Sequence, residues 1–86
     1  MPEICRFHGI IIRMFYDEHE QPHFHAAYQG KVAQIGIDPL TIMHGRLHRR
    51  AIGLIMEWAM AHQRELLENW ERVRSKKPAR KIEPLE

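Results

Sequence analysis

Polar and apolar residues alternate through the first part of the chain, which is the pattern of half-buried β-strands. Residues 3–7 and 10–16 are both rich in β-forming side chains, with His8-Gly9 between them. Within residues 10–16, the apolar side chains at every second position share one face. A hairpin with a two-residue loop at His8-Gly9 suits this pattern, because glycine accepts a positive φ. The alternative is a single strand with a bulge at Gly9.

A second alternating pair occupies residues 23–29 and 31–38, with Gln29-Gly30 as the loop signal between them. A two-residue loop at this position aligns the apolar side chains of both segments on one face. A shift by one residue would move them to opposite faces, so the pattern favours this register strongly. The register pairs Phe24 with Ile35, Ala26 with Ala33, His25 with Gln34, and His23 with Gly36.

The period changes after residue 46, where apolar residues recur at helical spacing. This spacing predicts an amphipathic helix over about residues 47–74. A break near residues 61–64 is the alternative to one continuous helix. Asp38-Pro39 ends the preceding strand. Residues 39–46 are therefore expected to form a connection.

These elements predict a single α+β domain over residues 1–75. We expect a small antiparallel sheet of three to four strands, packed on one face by the long helix. The opposite face, which carries His23, His25 and Gln34 with Arg13 as a further candidate, is expected to be open to solvent or to a partner. Gln34 is a candidate binding residue on this face. Residues 76–86 contain two prolines and few apolar side chains, which predicts a C-terminal tail. Ile82 and Leu85 are the side chains through which this tail would dock.

The length and composition of the chain are typical of a small globular domain. A chain of 86 residues has room for one hydrophobic core. It contains no apolar run approaching the ~20 residues that a membrane helix needs, and no secretory signal pattern. Its single cysteine, Cys5, has no partner within the chain and is expected to be a buried thiol. A cytoplasmic location is the expectation that fits these features.

The charges are unevenly distributed along the chain. Residues 44–81 carry ten Lys or Arg and four Glu, whereas the whole chain has a formal net charge of only +2. Arg46, Arg49 and Arg50 lie at the predicted helix start, where the helix dipole favours acidic groups. They are therefore candidate binding residues for a phosphate, a carboxylate or a nucleic acid. The alternative is that these arginines simply belong to a solvated face.

The main chemical candidate is the segment His19-Glu20-Gln21-Pro22-His23-Phe24-His25, which concentrates three of the seven histidines. His23 and His25 project from the same face of a strand and could aim two imidazoles at one ion. His19 is the candidate third ligand, which would suit zinc with one open coordination position. A fourth ligand would be His8, Asp17, Glu20 or water.

A second interpretation of the histidines needs no metal. His23 and His25 could act as general base and general acid, with Arg13 or Arg49 stabilising a phosphoryl transition state. This chemistry is that of a small metal-independent ribonuclease. The structural alternative is that both histidines are half-exposed strand residues bonded to Gln34 or to loop backbone.

Six stretches of the chain together match the pattern of a known family: Arg6-Phe7-His8-Gly9-Ile10, Pro22-His23-Phe24-His25, Gly45 to Ala51, Glu57-Trp58, Leu67-Glu68-Asn69-Trp70 and Lys81-Ile82-Glu83-Pro84-Leu85. Through them the chain resembles a bacterial family catalogued as domain of unknown function 4160. The resemblance covers nearly the whole chain, and its most specific part is a Pro-His-x-His signature at the end of a polar loop. The family often has proline where this chain has Leu47-His48, so the helix entry is expected to differ slightly here.

The resemblance implies little about chemistry, because the family has no settled activity. Its members are often encoded beside another small protein, an arrangement that looks like a toxin–antitoxin pair. The resemblance therefore implies a small partner protein encoded nearby, with self-association as a further expectation. By analogy with the family, the resemblance implies that the functional surface consists of His23, His25, Arg49 and Arg50. An analogy of this kind cannot assign chemistry by itself.

Overall fold

The computed structural model describes residues 3–16 and 20–86, which fold as an α+β domain. Five antiparallel strands form one sheet in chain order, and two helices follow them. The elements are β1 (Glu3–Phe7), β2 (Ile10–Arg13), β3 (His23–Tyr28), β4 (Lys31–Ile37), β5 (Leu40–Gly45), α1 (Arg49–Ala61) and α2 (Gln63–Arg74).

The first hairpin turns at His8-Gly9, and this decides against a single bulged strand. Both residues have positive φ, 51° and 79°, as a tight two-residue hairpin loop requires. Phe7 then pairs with Ile10, so the apolar side chains of β1 and β2 lie on one face. β2 ends at Arg13 rather than at residue 16, where the predicted strand ended.

The second hairpin confirms the predicted register in full. Gln29 and Gly30 form its loop with φ values of 50° and 79°. Phe24 pairs with Ile35, and His25 pairs with Gln34, as expected. The two-residue period therefore separates an apolar face from a polar face across β3 and β4.

The sheet has a fifth strand where a connection was predicted. β5 pairs with β4, although residues 39–46 do not alternate cleanly. The register shifts at Met43, because Ile42 pairs with Ile35 while His44 pairs with Gln34. This extra residue breaks the two-residue period, which is why the sequence pattern hid the strand.

The predicted single helix over residues 47–74 is instead two helices that meet at His62. α1 begins at Arg49, and the Nδ1 atom of His48 caps it by accepting a hydrogen bond from the Arg50 backbone N–H at 3.1 Å. His62 leaves helical geometry with φ of −123°. The interruption lies within the 61–64 region where the pattern allowed a break.

Both helices contribute buried side chains to the core. Trp58 of α1 is fully buried and lies against Phe7 and Phe24, with ring centroids 5.3 and 5.8 Å apart. Cys5 is buried nearby, and this burial raises the pKa of its thiol. An uncharged buried thiol is a packing group, as the sequence suggested.

The last residues run back across the core rather than away from it. Ile82 is buried, and its backbone N–H donates to the carbonyl of Ile4 in β1 at 2.9 Å. The indole Nε1 of Trp58 donates to the carbonyl of Glu83 at 2.8 Å. Residues 76–86 therefore hold the free side of β1 as well as covering the core.

Candidate functional site

His23 and His25 lie on the same face of β3, with ring centroids 5.2 Å apart and ring planes at 69°. The expectation that this face is open to solvent is wrong for His23, which is only 2% exposed. Trp70 of α2 lies against its ring, with centroids 5.1 Å apart. The Nδ1 atom of His23 lies 2.9 Å from the carbonyl oxygen of Gln21, which assigns the proton to Nδ1.

His25 is half-buried and differs from its neighbour in its bonding. Its ring stacks on Phe15, with centroids 4.5 Å apart and ring planes at 13°. Its Nδ1 atom is buried without a hydrogen-bond partner among the residues that the structure describes. Burial, and then the charge of neighbouring His23, lower the pKa of His25. A neutral imidazole with one unpaired nitrogen is therefore the favoured state at neutral pH.

Two predicted site residues flank His25 in the sheet. Arg13 of β2 is its strand partner on one side, and Gln34 of β4 is its partner on the other. Both are partly exposed. The amide nitrogen of Gln34 is buried without a partner in the described part of the chain. The structure thus gathers His25, Arg13 and Gln34 in one row, whereas His23 is covered by helix α2.

The three-histidine metal site stays a prediction, since His19 lies outside the described residues. Asp17, one of the candidate fourth ligands, also lies outside them. Within residues 3–16 and 20–86, no group of three or more His, Cys, Asp or Glu side chains could hold an ion. Of the candidate ligands that are described, His8 is exposed in the first hairpin loop, which lies beside Tyr28 at the end of β3 away from His23. Zinc binding would therefore depend on the direction of His19.

The predicted arginines lie together in the chain where the sheet passes into the helices. Arg46 directly follows β5, and Arg49 and Arg50 are the first two residues of α1. All three are exposed. Among the described side chains, none offers them an ion pair or a hydrogen bond. The first turn of α1 contains no acidic residue, so the helix dipole adds to their positive potential.

One candidate for a functional surface could not be predicted from the sequence pattern, namely the open edge formed by β5. β5 is the last strand of the sheet, and no backbone hydrogen bond from another described segment reaches its free side. Its six residues, Leu-Thr-Ile-Met-His-Gly, contain no Lys, Arg, Asp or Glu. Ile42 is 44% exposed. The apolar pair Ile42-Met43, separated from Arg46 by His44 and Gly45, was the signal that could have revealed this edge.

Fold and site together define a small α+β domain that consists of an antiparallel meander backed by two helices. A family model described as "Domain of unknown function (DUF4160)" matches residues 9–71. The chain belongs to this family. No curated protein and no solved structure gave a significant match. Neither described helix is long and apolar enough to cross a membrane.

Proposed function

We propose that the protein is one component of a two-protein, toxin–antitoxin-like module, and that it acts by binding its partner protein through the free edge of β5. The observation that carries this proposal is the difference between the two edges of the sheet. At one edge, Ile82 of the tail bonds to Ile4 of β1. At the other, β5 has no such cover within the described residues.

An uncovered strand offers a row of unpaired backbone N–H and C=O groups, to which an extended segment of another chain can add. Proteins usually protect such edges with charged side chains, prolines or bulges. β1 carries Glu3 and Arg6, which form an ion pair at 2.7 Å. β5 has only the register shift at Met43 and no charged side chain. Its composition thus favours strand addition.

The test is a calorimetric titration of the protein with the product of its neighbouring gene. Ile42→Lys places a charge on the free edge, and Val32→Lys places the same charge on β4, where the side chain is 54% exposed. We expect Ile42→Lys to weaken binding at least tenfold, since lysine on an edge strand opposes strand addition. Val32→Lys should bind as the wild type does.

Two results would overturn this proposal. One is the absence of any binding between the two proteins when both are folded. The other is equal binding by the Ile42→Lys and Val32→Lys variants, which would leave β5 without a role. Both replaced side chains are exposed, so we expect both variants to melt at the wild-type temperature. Thermal melts that agree with this would show that weaker binding is not caused by unfolding.

A second candidate function is a small ribonuclease, and the row formed by His25, Arg13 and Gln34 favours it. The lowered pKa of His25 keeps this imidazole neutral at neutral pH, as a general base requires. His23 is covered by Trp70, so it would position His25 rather than contact RNA. His25→Ala should abolish RNA cleavage or growth arrest, whereas the exposed control His44→Ala should not. Equal activity of the two variants would exclude this candidate.

A further inference from the structure

The free edge of β5 runs directly into the arginine cluster, and this continuity indicates what kind of segment binds there. Resting on the function proposed above, we infer that the partner contributes an extended segment that pairs with β5 and carries acidic side chains at the end beside Gly45. Those acids would face Arg46, Arg49 and Arg50. The surface would thus combine backbone pairing with charge recognition.

The local sequence makes this surface uniformly cationic. No Asp or Glu occurs between Asp38 and Glu57, whereas Arg46, Arg49 and Arg50 all fall in that interval. The three arginines are exposed, and no described acidic side chain pairs with them. Guanidinium groups bind carboxylates through paired hydrogen bonds, so acidic side chains are the complementary partner.

The backbone geometry at the end of β5 holds Gly45 tightly against β4 and sets where the edge strand turns. Gly45 has φ of 84°, and a Cβ atom there would lie 2.4 Å from the carbonyl oxygen of Val32. Only glycine fits this position, so the chain turns sharply from the edge strand towards α1. β5 runs from Leu40 to Gly45, and Arg46 follows it directly. A segment that pairs antiparallel to β5 would therefore place its N-terminal residues beside the arginines.

A nucleic acid would also be attracted by the arginines, but the surface lacks the other feature that single-stranded RNA requires. Bases are usually held by stacking on aromatic side chains. Residues 39–56 contain no Phe, Tyr or Trp. The neutral edge strand, in contrast, matches the backbone of an extended peptide. These observations favour an acidic protein segment over RNA.

Labelled synthetic peptides test the inference directly. One has the sequence Asp-Glu-Asp-Glu-Thr-Val-Thr-Val-Thr-Val, and its control replaces each acid with lysine. Fluorescence anisotropy should show that the acidic peptide binds and that the basic peptide binds far more weakly. Binding should weaken as salt is raised from about 50 to about 300 mM, because exposed charges are screened.

Variants identify the residues responsible. Replacing both Arg49 and Arg50 with alanine should weaken binding of the acidic peptide about tenfold and reduce its salt dependence. The matched control replaces Arg64 and Lys77, which are exposed elsewhere. Equal affinity of the acidic and basic peptides, or equal effects of the two double variants, would overturn the inference.

The same variants separate this inference from the function on which it rests. If the neighbouring gene product binds in an Ile42-dependent but arginine-independent way, partner binding stands and the acidic segment is excluded. If oligouridylate bound more tightly than the acidic peptide, and Ile42→Lys did not change that binding, the arginines would instead be assigned to RNA. Self-association of the protein that Ile42→Lys abolishes would assign the edge to a second copy. Either of these last two results overturns the acidic-segment inference.

Discussion

Asn69 of α2 and Arg80 of the C-terminal tail exchange two hydrogen bonds. The Asn69 Nδ2 atom donates to the Arg80 carbonyl at 2.8 Å, and the Arg80 backbone N–H donates to Asn69 Oδ1 at 2.8 Å. Asn69 is only 2% exposed, so its amide would be costly to bury without these partners. The Asn69 amide thus both donates to and accepts from the backbone of Arg80, as the backbone groups of two paired β-strands do.

This exchange predicts that Asn69 is required for docking of the tail. Asn69→Leu removes both hydrogen bonds, and Asn69→Asp removes the donation to Arg80 while keeping an acceptor. We expect each to lower the free energy of unfolding by about 1–3 kcal/mol, as loss of buried hydrogen bonds does. Urea denaturation measures this, and hydrogen exchange should show loss of protection at Ile82. Unchanged protection in both variants would contradict the prediction.

The apolar anchor of the tail makes a separate prediction. Ile82 is buried, whereas Leu85 is only partly buried. Ile82→Ala should therefore cost about 2 kcal/mol or more, in the range for truncating a buried aliphatic side chain. Leu85→Ala should cost less than half of that, because less apolar area leaves the solvent on folding. Urea midpoints of the two variants, measured side by side, check the order, and a reversed order would contradict it.

Replacing either of two glycines with alanine is expected to change the free energy of unfolding, with opposite signs at the two positions. Gly53 is exposed inside α1, and an added Cβ atom would meet nothing within 4 Å. Gly53→Ala should raise the free energy of unfolding by about 0.5–1 kcal/mol, because alanine favours the helix. Gly45→Ala should lower it, since the added Cβ atom would collide with the backbone of Val32. Thermal melts give the signs, and stabilisation by Gly45→Ala would be incompatible with the structure.

Those parts of the fold that depend on neighbouring residues could be predicted from sequence. The loops at His8-Gly9 and Gln29-Gly30 are local signals, and the two-residue period then determined which residues pair. The opposition of His25 and Gln34 followed from the same rule. Local turn chemistry and strand alternation were sufficient there because the loops contain only two residues.

The remaining features depend on contacts between distant parts of the chain. β5 was missed because the extra residue at Met43 interrupts its alternation. The burial of His23 depends on Trp70, which lies far away in the sequence and reaches the strand only when α2 packs. The open edge could not be recognised until β5 was known to be a strand. Tertiary packing, rather than local preference, decided each of these features.

The environment of His25 predicts how stability responds to pH. Burial disfavours the charged imidazole in the folded protein, and the folded pKa therefore lies below the ordinary value of 6.5. Below pH 6.5 the unfolded chain binds a proton that the folded chain resists, so the contribution of His25 to folding falls as the pH falls. Above this pH both states are neutral, and the contribution is constant.

His25→Gln should reduce the loss of stability between neutral pH and about pH 5, because glutamine does not titrate. The control is His44→Gln, since His44 is exposed on β5. Urea denaturation at several pH values gives the free energy of unfolding for both variants and for the wild type. The wild type and His44→Gln should lose stability in parallel as the pH falls, and His25→Gln should lose less. If the stability of His25→Gln fell with pH as steeply as that of the wild type, the prediction would be wrong. The His25 imidazole would then protonate as readily in the folded protein as in the unfolded chain.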